Sequence, residues 1–267
     1  MDQKDAAIGI FDSGVGGVSV LSEVARLLPQ EHLYYMGDNA HAPYGTKRPE
    51  EVRTYCMRIV EEMQSLPVKA VVIACNTASS VAAPDIRATF DFPVIAMEPA
   101  LKPAHMSRKN GRILVLATPV TLSLPKFRHL YDLYGEGAEA VPCPGLMELV
   151  EKEDDAGAKD YLERIFSRYD LQTLDAVVLG CTHYVFLRDM VISLLPEHTA
   201  VLDGNLGTAR QLKRVLENRG MLRESGTGTL SFHSTGDETM LVPLMQRLYA
   251  RLQDGSRRVT EALLKSY

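Results

Sequence analysis

Long apolar runs are missing from this 267-residue chain: the longest unbroken one, Ala70 to Cys75, has six residues, against the roughly 20 that a membrane-crossing helix needs. The opening residues, MDQKDAAIGIFDSG, lack the charged-then-apolar pattern of a secretory signal. A soluble cytoplasmic protein with no membrane partner is expected. Cysteine is scarce as well. Cys56, Cys75, Cys143 and Cys181 show no C-x-x-C spacing, which argues against a disulfide scaffold or a zinc knuckle. Basic charge is not in excess: 29 lysines and arginines are scattered among 34 acids, for a formal net charge of -5. Nucleic acid is therefore not expected as the main partner. Low-complexity tracts and long Pro/Gly linkers are also absent, and with 46% hydrophobic residues the chain can bury a substantial core.

What is present alternates. Apolar runs that read as buried strands occur at 7–12, 32–38, 70–75, 92–98, 112–118, 138–143, 176–181, 199–204 and 228–234. Between them lie segments such as 20–28, 49–63 and 158–169, whose apolar residues recur at helical spacing. This alternation predicts an α/β fold of mainly parallel sheets flanked by helices. In such sheets ligands collect at the carboxyl ends of the strands.

Two landmarks recur at nearly one spacing. Ser13, after IGIFD, and Thr118, after ILVLA, are 105 residues apart; Cys75 in AVVIACNTAS and Cys181 in AVVLGCTHY are 106 apart. Chance repetition of valine-rich strands would explain either coincidence alone. Together they suggest two similar α/β units, whose strand ends, if they face each other, line one cleft with a cysteine on each side.

Both cysteines precede predicted helix starts. Free amides at such turns stabilise a thiolate, and they also bind carboxylates. The natural reaction of such a cleft is proton exchange at a carbon bearing a carboxylate: one thiolate removes the α-proton from one face while the other thiol returns a proton to the opposite face. Exchange needs one cysteine, and inversion needs both. Other readings fit less well. A phosphatase-type cysteine loop wants Arg six positions after Cys, where this chain has Val81 and Leu187. The turn DSGVGG (12–17) could cradle a phosphate, but it fits neither G-x-G-x-x-G nor the P-loop pattern. Cys75, Cys181 and His183 are possible metal ligands by type, without a metal-site spacing.

At this point the sequence resembles the cofactor-independent glutamate racemases of bacteria, within the aspartate/glutamate racemase superfamily. The match runs in order through IGIFDSGVGG (8–17), YMGDNAHAPYG (35–45), ACNTAS (74–79), LGCTHY (179–184) and STGD (234–237). The resemblance implies that Cys75 and Cys181 are the acid/base thiols, Cys75 serving the D-enantiomer and Cys181 the L-enantiomer. Asp12 matches the aspartate beside the first thiol; His183 and Glu151 match the polar partners of the second, Glu151 being preferred to Glu148 because CPGLMELVE (143–151) aligns by its final LVE. Asp12, Ser13, Tyr44, Gly45, Asn76, Thr77, Thr118, Thr182 and His183 match positions that hold the substrate. Physical chemistry fits these roles: a carboxylate receives the substrate ammonium, and hydroxyl and amide donors suit its carboxylates. Bland alternatives are a turn cap for Asp12, a helix cap for His183 and packing against Pro43 for Tyr44. Cys56, in an amphipathic segment, and Cys143, at a strand end among prolines, read as structural.

The resemblance further implies a pseudo-symmetric two-domain protein, residues 1–97 with 208–267 forming the first domain and 98–207 the second, and the active site between them. It implies interconversion of L- and D-glutamate for peptidoglycan synthesis without pyridoxal phosphate or metal, and a homodimer. LDGNLG (202–207) and VIAMEPALKPA (94–104) depart from the usual family pattern at positions bearing on hinge and dimer surface. The short leader before Ile8 resembles members lacking the N-terminal extension linked to activation by a cell-wall precursor. A racemase of aspartate or a related acid is the nearest alternative, with DSGVGG and GDNAHAPYG favouring glutamate. A non-catalytic amino-acid-binding protein is the alternative from another class.

Overall fold

Strands β1 (Ala7–Asp12), β2 (Leu33–Gly37), β3 (Val68–Ile73), β4 (Val94–Ala96), β5 (Arg112–Ala117), β6 (Ala138–Pro142), β7 (Leu174–Leu179), β8 (Ala200–Asp203) and β9 (Leu230–Ser234) form two sheets in a computed structural model that describes residues 3–255. Every strand pair is parallel. The central strands are buried almost along their whole length, as expected where helices cover both faces of a parallel sheet. This is why they read as unbroken apolar runs rather than as alternating ones.

One sheet has the order β4-β3-β1-β2-β9, the other β6-β5-β7-β8. Read from the opposite end, the second order is β8-β7-β5-β6, so strand for strand it repeats the first four members of the other sheet. The starts of β1 and β5 (7 and 112) and of β2 and β6 (33 and 138) are 105 residues apart; those of β3 and β7 (68 and 174) and of β4 and β8 (94 and 200) are 106 apart. Even a register irregularity recurs, at Ala7/Ile8 and at Arg112/Ile113. The spacing noticed at two landmarks is a property of the whole repeated unit. Among the described residues β9 has no counterpart in the second sheet.

In each sheet the order reverses between the first and third strands of the unit, β1 and β3 or β5 and β7, which is the topological switch point where open α/β sheets bind ligands. Asp12 ends β1 and Thr118 follows β5. Cys75 and Cys181 each stand two residues beyond β3 and β7, not within the strands as the apolar runs implied.

The two connections between the sheets lie against each other. A side chain on Gly204 would place its Cβ 2.2 Å from the carbonyl oxygen of Glu98, so only glycine allows this approach. The helix Asn205–Asn218 then packs against the helix Val18–Leu27; a boundary drawn between residues 207 and 208 falls within its first turn. Far from the cysteines, Lys69 and Glu31 form a buried ion pair at 2.5 Å. The Lys69 ammonium also donates to the carbonyls of Lys4 and Met221, tying the chain's start to the segment before β9. The expected assignment of residues 256–267 to the first domain lies outside the described residues.

Candidate active site

Cys75 is the N-cap of the helix Asn76–Thr89, with extended backbone and its sulfur accepting the Ala78 N–H at 3.5 Å. Its thiol faces the Ser13 hydroxyl at 3.7 Å. The helix start does supply a donor that favours the thiolate, the Ala78 N–H, but burial sets the balance in this state. Burial pushes the Cys75 thiol well above its ordinary range, and the Asp12 charge adds to that, outweighing the donors from Ala78 and Ser13.

Asp12 is itself almost fully buried. Its Oδ1 accepts the Ser13 N–H at 2.6 Å and the Ser13 hydroxyl at 3.2 Å. Its Oδ2 accepts the Thr182 hydroxyl at 3.1 Å, a bond that spans the two halves of the molecule. Burial raises the Asp12 carboxyl above its usual range despite these donors and the nearby His183 charge.

The segment after Cys181 is not the α-helix expected there. Thr182–Leu187 form a six-residue 3-10 helix, followed by an α-helix from Arg188. All six of these residues are buried; Thr, His, Tyr, Val and Phe have modest α-helix propensity, and packing from several sides sets the backbone. His183 does not cap this turn. Its Nδ1 lies 3.8 Å from Cys181 Sγ and its Nε2 2.9 Å from Glu151 Oε1. Burial opposes the imidazolium, but bonding and charge from Cys181 and Glu151 outweigh it and hold His183 well above its ordinary range. Burial likewise works against the Glu151 carboxylate, and the bond to His183 reverses the balance, lowering Glu151 overall. Glu151, and not Glu148, is the residue on His183.

Contacts between the halves surround the two cysteines. The Asn76 side-chain N–H donates to the Gly180 carbonyl at 2.9 Å, and the Ser19 hydroxyl donates to the Thr182 carbonyl at 3.1 Å. Gly16, in the DSGVGG turn, sits so close that a Cβ there would stand 2.3 Å from His183 Nδ1 and 2.5 Å from Thr182 Oγ1. The Tyr35 phenol donates to the Gly14 carbonyl at 2.7 Å and fixes the same turn.

The loop 38–46 brings Tyr44 and Gly45 to the other side of the site. Tyr44 is buried, and its phenol donates to Asp38 Oδ2 at 2.5 Å rather than merely packing on Pro43. The backbone N–H groups of Tyr44 and Gly45 have no acceptor among the described residues. Two adjacent free amides at a turn are of the type that can receive an anion such as a carboxylate. Thr118 caps the short helix Pro119–Ser123 and exchanges a hydroxyl contact with Thr121; a Cβ on Gly45 would lie 4.0 Å from its Oγ1. Thr77 is buried in the first turn after Cys75. Cys56 and Cys143 are buried, and burial pushes the Cys143 thiol up to about 12.

The structure thus joins Asp12, Ser13, Cys75, Asn76, Thr182, Cys181, His183 and Glu151 into one cluster and sets Tyr44, Gly45 and Thr118 together beside one another. Sequence reasoning missed Gly16, Ser19, Tyr35 and Asp38. Among the described residues no cluster of three or more His, Cys, Asp or Glu side chains is arranged to hold a metal ion. A cavity of about 1250 Å³, with Ser22, Phe90, Lys126, Arg188 and Gln253 in its lining, also lies between the halves, but neither Cys75 nor Cys181 lines it.

Comparison with known proteins gives a consistent result. The model of the Asp/Glu/Hydantoin racemase family matches residues 8–212. The chain is 43% identical over 254 residues to a glutamate racemase of Clostridium botulinum, covering 93% of this chain and 99% of that protein. It is 47% identical to a glutamate racemase of Bifidobacterium adolescentis, covering 92% and 98%. The crystal structure of a glutamate racemase isoform from Bacillus anthracis superposes with a TM-score of 0.81 at 31% identity, covering 94% of this chain and 95% of that one.

Proposed function

The chain belongs to the Asp/Glu/Hydantoin racemase family, and from that premise we propose that it interconverts L- and D-glutamate by a two-thiol mechanism without cofactor or metal. The observation that carries the reading is the placement of Cys75 and Cys181 at equivalent strand ends of two repeated units, bridged by Asp12, Thr182 and Asn76.

In the proposed reaction the substrate ammonium sits at Asp12 and Ser13. A cation there cancels the Asp12 charge that disfavours the Cys75 thiolate, so the substrate itself helps to create its base. With D-glutamate bound, the Cys75 thiolate takes the α-proton, breaking the Cα–H bond and leaving the electron pair on the α-carbon and its carboxylate. The Cys181 thiol then delivers a proton to the opposite face, giving L-glutamate, a Cys75 thiol and a Cys181 thiolate. The reverse reaction exchanges the roles. His183, held by Glu151, supports the Cys181 thiolate with positive charge. Asn76, Thr77, Thr118 and Thr182 supply donors to the substrate carboxylates, together with the amides of Tyr44 and Gly45.

Family resemblance also supports a homodimer in the cytoplasm that supplies D-glutamate to peptidoglycan; among the described residues no helix is long and apolar enough to cross a membrane. The proposed domain division moves the second crossing from 207 to Gly204, because the next helix begins at Asn205, giving 1–97 with 205–267, and 98–204. The test uses Cys75→Ser and Cys181→Ser with each enantiomer in deuterated water. Inversion should be lost in both variants, while each keeps solvent exchange on the face served by its remaining thiol. Inversion surviving in either variant would exclude the two-thiol mechanism.

A further inference from the structure

The first sheet carries one strand that the repeat does not supply. β9 pairs with β2 in parallel register from Leu33↔Leu230 to Gly37↔Ser234, so both strands end at one level, and the chain after β2 enters the loop that carries Tyr44 and Gly45. The motif STGD (234–237) lies at the end of β9, and nothing in the proposed reaction makes use of it.

Asp237 serves the start of the next helix, through Thr239, whereas Ser234 and Thr235 reach β2 and the loop that follows it. The Thr235 N–H donates to the Gly37 carbonyl at 3.0 Å, extending the ladder by one step. The Thr235 hydroxyl accepts the Ala40 N–H at 3.1 Å and donates to Asp38 Oδ1 at 2.6 Å. The Ser234 hydroxyl donates to Asn39 Oδ1 at 2.9 Å and accepts the Gly236 N–H at 3.0 Å. Residues 38, 39 and 40 are thus each held by the end of β9. Asp38 is buried; Oδ1 also faces His41 Nδ1 at 2.8 Å, and Oδ2 takes the Tyr44 phenol at 2.5 Å. A continuous chain of bonds runs from Thr235 through Asp38 to Tyr44, whose own amide and that of Gly45 have no acceptor among the described residues.

We propose that Thr235 is a positioning residue for substrate binding: its hydroxyl fixes the Asp38 carboxylate, which anchors the Tyr44 ring and so aims the Tyr44 and Gly45 amides at a substrate carboxylate. The proposal rests on the glutamate reading of the site. It gives β9 a functional role that the repeated unit does not provide, since among the described residues the second sheet has no equivalent strand.

Thr235 lies at the surface, so substitution there leaves the core intact. Thr235→Val keeps the shape and removes the hydroxyl. It should raise KM for both enantiomers roughly tenfold, the scale of one lost charge-assisted hydrogen bond, with kcat changed by less than about threefold; Thr235→Ser should restore KM to within about twofold of the parent. In the protein without substrate, hydrogen–deuterium exchange at the Thr46 and Lys47 amides, which close this turn on the Pro43 and Tyr44 carbonyls, should be faster in Thr235→Val than in Thr235→Ser. Unchanged KM in the valine variant, or a fall in kcat alone that follows the folded fraction, overturns the proposal. A parent protein that does not turn over glutamate removes the glutamate reading instead, and the exchange comparison still decides whether Thr235 holds the loop.

Discussion

Gly16→Ala is the smallest change that tests how tightly the two halves of the site are fitted. The added methyl carbon would stand 2.3 Å from His183 Nδ1 and 2.5 Å from both His183 Cε1 and Thr182 Oγ1, where ordinary contact begins at 3.4 Å. His183 cannot simply turn away, because it is buried and bonded to Glu151 at 2.9 Å. Either the imidazole or the DSGVGG turn retreats by about 1 Å, and a misplacement of that size near reacting groups costs on the order of 100-fold in rate. Overpacking costs roughly 1–3 kcal/mol of stability, which leaves a domain of ordinary stability folded at 25 °C. The two enantiomers have equal free energy, so kcat/KM must fall by the same factor in both directions. Circular dichroism of glutamate follows the turnover, and a thermal melt confirms folding. A folded Gly16→Ala protein with kcat/KM within about threefold of the parent would refute the argument that this approach positions His183.

Further predictions concern the buried charges. Glu151→Gln removes one of the two partners, the other being Cys181, that offset burial at His183; its imidazole, read by NMR, should lose its proton at a lower pH than in the parent, where the imidazolium persists above the usual range near 6.5. Asp12 is a carboxyl whose folded value is raised, so its ionisation destabilises the fold progressively above its unfolded value near 3.9 and reaches a constant penalty above the folded one. Asp12→Asn should therefore abolish racemisation yet raise Tm at pH 7, a gain that disappears below about pH 4. Lys69→Met leaves Glu31 buried without its cation and should cost about 3–5 kcal/mol, seen as a large drop in Tm with the rate of the folded fraction unchanged.

Much of the architecture was legible because parallel strands covered on both faces announce themselves as apolar runs. All nine expected strands are present, with ends displaced by a few residues. The displacement matters at the cysteines: the apolar run continues through Ala74, whose N–H still bonds the Phe11 carbonyl, to Cys75, which caps the next helix instead of pairing in the sheet. The 3-10 turn after Cys181 was not legible, because its geometry answers to packing around six buried side chains rather than to local propensity. The candidate cluster was legible through its residue types and its repeat. Gly16, Asp38 and Thr235 were not, because they act by approaches and bonds to distant parts of the chain: Thr235 meets Asp38 across 197 residues, and no periodicity signals such a pair. Tyr44 shows how a contact escapes sequence reasoning, since its phenol anchors the loop through Asp38 rather than merely packing on Pro43.

The most direct test of the central claim is incubation of the purified protein with L-glutamate in deuterated water, with no cofactor added, following optical activity and deuterium at the α-carbon together. Loss of optical activity with one solvent deuterium in each D-glutamate formed is the predicted result. Folded protein that neither inverts L-glutamate nor exchanges its α-proton would contradict the account.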